Sequence, residues 1–307
     1  MKNKKTSKLI VILGPTASGK SELAIKLAKK FDGEIVSADS RQIYKEMDIA
    51  TAKPITREFA RINHEYARIV KGVPHYLIDV VWPNQEFNVA IYKKMAIKAI
   101  KDIQKRGEIP FLVGGTGLYI KAIVDNIEFP KVPAQKRLRE KLEKKTVKEL
   151  FEIYKELDHL GARFIEKKNK RRLIRAIEVC KVTKKPFWQQ RERGKLLFDT
   201  LQIGIKLPKN KLKKRVETRV EKMFKMGLEK EVKKLIKKHS WNLPPLQTIG
   251  YQEWKDFFDK KEVKNRIILH TIQFAKRQMT WFKRNKQIKW IKNTKEAEKL
   301  IKEFIRN

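Results

Sequence analysis

Eight residues near the start of the chain, Gly14, Pro15, Thr16, Ala17, Ser18, Gly19, Lys20 and Ser21, have the types and spacing to hold an oligophosphate. The pattern is that of a phosphate-binding loop, with two glycines five apart followed by lysine and serine. Glycines let the backbone curl so that successive N–H groups face an anion. A helix starting at the second glycine adds its positive dipole end. Lys20 supplies a mobile charge, and the Ser21 hydroxyl can hold Mg²⁺. The competing reading is an ordinary glycine turn. The apolar run 9–13 before the loop and the helical pattern 21–30 after it favour the phosphate site.

Other candidates follow similar apolar runs. Asp39 ends the run 33–39, where it could cap a short helix or act as an acid or base. Asp79 sits near the end of 74–81, suited to a structural role or to supporting Mg²⁺ from its outer shell. The motif Gly114-Gly115-Thr116-Gly117 follows 110–113. Arg215 and Arg219 lie one helical turn apart, with Lys222 continuing the row, either as a solvated face or as a clamp on a phosphate ester. Arg171, Arg172 and Arg175 flank an apolar stripe and could grip nucleic-acid phosphates. Lys276, Arg277, Lys283 and Arg284 are interleaved with Trp281 and Phe282, which either stack on bases or anchor a helix in the core. The five histidines show no metal-ligand spacing, and Cys180 reads as a small buried apolar residue.

These residues need a scaffold that brings them together. Strands alternating with helices predict an α/β fold, a P-loop-type parallel sheet with helices on both faces. Sites in such sheets lie at the carboxyl ends of the strands, so Gly14, Asp39 and Gly114 are expected to converge. The region from 55 to 73 carries no assigned element, and the third strand is placed at 74–81. A helix is expected over 88–106. From 129 to 200 only helical periodicity remains, which predicts a helical insertion lobe interrupting a core of residues 1–128 and 201–307. A strand resumes at 201–207, a basic helical stretch at 209–239 breaks near Gly227, and a helix spans 262–284.

With 74 Lys and Arg against 35 Asp and Glu, the formal net charge is +39, which suits a polyanionic macromolecular partner. Part of that lysine excess reads equally as a lysine-rich proteome. One cysteine excludes an internal disulfide and a cysteine zinc site, and fits a reducing compartment. No apolar run is long enough for a membrane span, and the opening MKNKKTSKL does not read as a signal peptide.

Taken in order, GPTASGKS, SADSRQIY, IATAKP, PHYLID, LVGGTGLY, RRLIRAIEV, QTIGYQE and AKRQMTWFKR form a set between residues 9 and 284. That set resembles the bacterial tRNA dimethylallyltransferase family. The chain departs from the family pattern at His75-Tyr76 and at Thr183-Lys184-Lys185-Pro186. The resemblance implies transfer of a dimethylallyl group from dimethylallyl diphosphate to the exocyclic amine of the adenosine 3′ of the anticodon. It implies Asp39 as general base, Arg219 on the diphosphate together with Gly14 to Ser21, and Thr116 at the target nucleotide. Mg²⁺ would sit on Ser21. Asp39, Ser40, Arg41 and Gln42 would meet the target base. Arg171, Arg172 and Arg175 would grip the tRNA anticodon stem-loop, and Gln247, Lys276, Arg277 and Gln278 would line further RNA contacts. A cytoplasmic monomer is expected. Two rivals share the loop: a small-molecule kinase and an enzyme that prenylates free adenine nucleotides. A third is an RNA-binding protein that uses the loop only as a fold element. The three arginine-bearing surfaces and the GGTG motif argue for the tRNA enzyme.

Overall fold

The computed structural model describes residues 7–56, 58–63, 65–190, 193–256 and 259–307. They divide into two compact units, one of residues up to Val124 and from Leu196 onward, the other Asp125–Lys195.

The first unit is built on one sheet. Its strands are β1 (Ser7–Leu13), β2 (Gly33–Ala38), β3 (Phe59–Ile62), β4 (Glu65–Val70), β5 (Val73–Tyr76), β6 (Ile109–Gly114), β7 (Phe198–Ile205) and β8 (Lys289–Ile291). They lie in the order β3-β4-β5-β2-β6-β1-β7-β8. From β5 to β8 every pairing is parallel, whereas β3 to β4 and β4 to β5 are antiparallel. The sheet is therefore parallel through its centre, as expected, with an antiparallel hairpin added at one edge. The unassigned stretch forms a hairpin, and the expected third strand stops at Tyr76. Leu77 and Asp79 have φ of 62° and 59°, which turns the backbone out of the extended region and ends pairing there.

β1 explains the layering. Its apolar run is buried on both faces, as a central parallel strand requires. Leu9, Val11 and Leu13 pack with α2 (Val89–Lys105) and α3 (Gly117–Val124). Ile10 and Ile12 pack with α1 (Lys20–Lys30) and with the chain's last helix, Thr294–Arg306. Alternation along one strand thus demands helices on both faces. Asn88 caps α2 by accepting from the Ala90 and Ile91 N–H groups.

The second unit holds α4 (Lys136–Glu143), α5 (Val147–Leu157) and α6 (Lys170–Thr183) around its own core of Leu150, Tyr154, Leu173 and Ile177. Thr146 and Glu149 form a reciprocal capping box at the start of α5. Its two chain ends are stapled. Gly194 N–H donates to the Asn126 carbonyl, and Asn126 Nδ2 donates to the Lys195 carbonyl at 2.9 Å. The unit starts four residues before and ends five residues before the 129–200 read from periodicity, because the staple lies outside any helix and β7 begins at Phe198.

After β7 come α7 (Lys209–Lys225) and α8 (Leu228–Lys238), separated by Gly227 at φ 92°. Then follow α9 (Glu253–Asp256), α10 (Lys260–Phe282), β8 and α11 (Thr294–Arg306). Helices α7, α8 and α10 share a core with Ile43, Met47 and Tyr251. That core holds the 40–53 segment against the helices carrying the arginine row.

Candidate active site

The loop after β1 is shaped for an anion. Gly19 has φ 89° and Ala17 φ 59°, conformations that curl the backbone. The N–H groups of Ala17, Gly19, Lys20 and Ser21 make no hydrogen bond within the described residues, as expected at an uncapped helix start. The buried Ser18 hydroxyl is also without a partner. Set on exposed or half-buried residues around one turn, these N–H groups are open to an anion.

Three side chains from two helices lock the loop from outside. Arg215 Nη1 on α7 donates to the Ser18 carbonyl at 2.8 Å, and Arg219 Nη1 donates to Thr16 Oγ1 at 2.9 Å. Gln278 on α10 accepts from the Thr16 N–H at 2.8 Å and donates to the Gly115 carbonyl at 2.9 Å. One amide thus ties the phosphate loop to the GGTG loop. A Cβ on Gly115 would fall 2.4 Å from Gln278 Nε2, so the backbone must be bare there. Arg219 is half-buried.

At the carboxyl end of β2, Asp39 Oδ1 accepts from the Arg41 N–H at 2.9 Å. The other carboxylate oxygen makes no hydrogen bond among the described residues. The two roles weighed for this residue are therefore compatible, because one oxygen sets the turn and one is left to accept. Thr116 holds the same turn, its hydroxyl accepting from the Ser40 N–H at 3.0 Å. Charge ties the ends of β1 and β2 to α7. Burial pushes the Lys20 ammonium down to about 8, opposed by Asp39 and reinforced by Arg219. Burial likewise lowers Arg219, again with Asp39 opposing. Two cations and one carboxylate share this pocket of the first unit.

Other candidates have different posts. Gln42 donates to the carbonyls of Thr51 and Ala52, which fastens it to the IATAKP loop. Gln278 is buried and spent on the two loops, whereas Lys276 and Arg277 are exposed on α10. Gln247 is exposed in the turn Pro244–Gln247. Arg171, Arg172 and Arg175 lie on α6 in the second unit. Arg175 donates to Glu178 at 2.6 Å and to the Val132 carbonyl at 3.0 Å. Burial alone would push Glu178 up, but hydrogen bonds from Arg139, the Gln135 N–H and Arg175 hold it below the usual carboxylate range. Arg175 is thus committed to internal structure, while Arg171 is exposed and Arg172 lies 4.0 Å from Glu166.

Sequence reasoning passed over two side chains that set this geometry. Lys53 is buried and donates to the Tyr44 carbonyl, Asp48 and Asp79, and Arg68 completes the group against Asp79. Asp79 is accordingly structural. Glu231 on α8 accepts from the N–H groups of Asp48 and Ile49 at 3.0 and 2.8 Å, and from the Tyr251 hydroxyl at 2.7 Å. An acid within so basic a helix was the only signal for it. Replacing Lys53 with methionine leaves Asp79 to Arg68 alone and the Tyr44 carbonyl without its donor, and should cost about 1–3 kcal/mol. Denaturant unfolding measures this, and an unchanged midpoint would mean the pair is dispensable.

Among the described residues no group of three His, Cys, Asp or Glu side chains could hold a metal ion, and His64 lies outside them. No helix among them is long and apolar enough to cross a membrane.

The family model for IPP transferase matches residues 42–285. The chain belongs to that family. The tRNA dimethylallyltransferase of Caldicellulosiruptor saccharolyticus is 44% identical over 288 residues, 90% of this chain and 89% of that protein. The crystal structure of the full-length tRNA isopentenylpyrophosphate transferase of Bacillus halodurans is 33% identical with a TM-score of 0.69, covering 98% of this chain and 96% of the other. A eukaryotic dimethylallyltransferase acting on tRNA is 29% identical with a TM-score of 0.75, covering 90% of this chain and 70% of that one. The family match begins at Gln42 and so excludes the phosphate loop itself, which is generic. What it includes are the segments that surround that loop.

Proposed function

We propose that this IPP transferase moves a dimethylallyl group from dimethylallyl diphosphate to the exocyclic amine of the adenosine 3′-adjacent to the anticodon in tRNA. The observation that carries this reading is the pocket where the phosphate loop, Lys20, Arg219 and Asp39 meet, in a chain whose relatives bear that activity in their names. In the reaction the carbon–oxygen bond to diphosphate breaks and a carbon–nitrogen bond to the amine forms. The proton on that nitrogen goes to the Asp39 carboxylate. An adenine amine is a poor nucleophile, because its lone pair is delocalised into the ring. Removing its proton as the bond forms is worth roughly 10²–10⁴-fold. Lys20, Arg219 and the unpaired loop N–H groups take up the charge that develops on the diphosphate. The target base must leave its stack to reach the strand ends, and anticodon-loop bases are accessible in that way.

The donor set fits Mg²⁺ only in the manner of phosphate-loop enzymes. Ser21 is exposed at the start of α1 and offers one oxygen, with no acidic cluster among the described residues, so the remaining ligands would be diphosphate oxygens and water. When bound, the ion supplies charge neutralisation on the leaving group. A monomer is proposed because the sequence leaves no long apolar seam unassigned, and a single buried thiol fits a reducing compartment such as the cytoplasm.

Incubation with labelled dimethylallyl diphosphate and either tRNA or free adenine nucleotides tests the reading. Label should pass to tRNA, and label on the free nucleotide alone would refute it. RNA contact by the second unit has its own test. Replacing Arg171 and Arg172 with alanine should weaken all tRNAs about equally and reduce the salt slope by roughly one to two units. Affinity across a salt series reads this, and an unchanged slope would reduce both to helix solvation.

A further inference from the structure

The second unit displays an aromatic pair that its own core does not need. Phe164 and Trp188 stack with ring centroids 4.7 Å apart and 18° between planes. They are 61% and 41% exposed, whereas their sequence neighbours Ile165 and Phe187 are 9% and 8% exposed. Each segment therefore sends one large side chain inward and the next outward. Apolar Leu160 and Val182 are exposed in the same two segments.

The backbone beneath the pair is fixed from inside. Asp158 is buried, and its Oδ2 accepts from the Tyr154 hydroxyl and the Trp188 N–H, each at 2.8 Å. Its Oδ1 accepts from the Gly161 N–H at 2.8 Å. A Cβ on Gly161 would fall 2.3 Å from Asp158 Oδ2, so the chain comes this close only because the residue is glycine. Gln190 ties the second segment again through Thr183 Oγ1 and the Lys185 carbonyl, both at 2.8 Å. One carboxylate thus joins the segment carrying Phe164 to the one carrying Trp188, and the exposed rings are held in place before any partner arrives.

Charge selects the partner. Residues 159–170 and 181–190, which carry the pair, include seven Lys and Arg but one acid, Glu166. Aromatic rings set among cations suit a polyanion with flat faces, whereas an apolar protein surface would have to desolvate those lysines. Resting on the reading that this chain acts on tRNA, we propose that Phe164 and Trp188 form a stacking platform for one unstacked nucleobase of the bound RNA.

Removing a stacking ring should weaken tRNA binding by about five- to a hundredfold. The test measures tRNA affinity and single-turnover transfer at saturating tRNA for the full-length wild type, Trp188→Ala, Phe164→Ala and Trp188→Phe. Both alanine variants should lose affinity, Trp188→Phe should keep most of it, and all should retain the saturated rate. The salt slope should not change, because stacking releases no counterions, whereas Lys184→Ala/Lys185→Ala should flatten it. An abasic scan of the anticodon arm identifies the base: one abasic position should weaken the wild type and have no further effect on Trp188→Ala. Should Trp188→Ala melt early, Phe164→Ala, with the more exposed ring, carries the test. If the wild type binds and modifies tRNA while both alanine variants bind it within twofold of wild type, the platform is overturned and the surface serves a protein or a lipid surface instead. A wild type that neither binds nor modifies tRNA overturns the functional reading, and the platform with it.

Discussion

Replacing Asp39 with alanine should lower the single-turnover rate by about a hundredfold or more, the loss of a general base, while tRNA affinity persists. The turn contact complicates that variant, because Oδ1 also accepts from the Arg41 N–H. Asp39→Asn resolves it. An asparagine side-chain oxygen still accepts from that N–H and keeps the turn, yet the amide cannot take a proton at neutral pH. Asp39→Asn should therefore be about as slow as Asp39→Ala while melting like the wild type. Asp39→Ala should also lose about 1 kcal/mol of stability. A fast Asp39→Asn enzyme would reduce Asp39 to a turn former.

Lys20→Ala and Arg219→Ala should each lower use of dimethylallyl diphosphate by roughly 10²–10³-fold with little effect on tRNA affinity. Loss of tRNA binding before diphosphate use would mean these cations have been misplaced. Arg219 is half-buried and bonded to Thr16, so its variant needs a melting control that a surface residue would not. The pH dependence is distinctive. With Lys20 near 8 in the free protein, its charge is lost as pH rises through about 8, and diphosphate affinity should fall there. Fold stability moves the other way. Between about 8 and the usual value of 10.5 the unfolded chain binds more protons at this residue than the folded one, so this group's contribution rises with pH. Below about 8 the full cost of burying the ammonium is present. Melting curves from pH 7 to 10 with and without inorganic diphosphate should show the ligand's stabilisation shrinking as pH rises. Lys20→Met should flatten both trends.

Contiguity decided what could be read in advance. The phosphate loop lies within eight residues, and the apolar runs of β1, β2 and β6 are unbroken because both of their faces are covered. The β3–β4 hairpin was not legible. It sits at a sheet edge, its residues are half-exposed, and its polar content masks any alternation. Residue types also announced chemistry without naming a partner. A polar residue among lysines and arginines reads as an RNA contact, but the Gln278 amide is used 262 residues away at Thr16. Arg175 had an acid three positions on, a helical spacing that could have marked it as paired; the bond from Arg139 to the same Glu178 had no such signal.

The stapled ends of the second unit bear on how the chain is made. β1 pairs with β7 from Ser7 against Phe198, about 190 residues later, so an interior strand of the sheet waits for its second neighbour. At roughly 5–20 residues per second of synthesis, that wait is on the order of 10–40 s. The intervening unit has mostly local contacts and its own core, so it can fold during the wait. Once Asn126 has joined its carbonyl to Gly194 and its amide to Lys195, an excursion of about 70 residues behaves as a short link. By the logarithmic dependence of closure entropy on length, this removes about 2–3 kcal/mol from the barrier to seating β7 beside β1. The lobe that interrupts the core in sequence thus acts, during biosynthesis, as the splint that lets the core close.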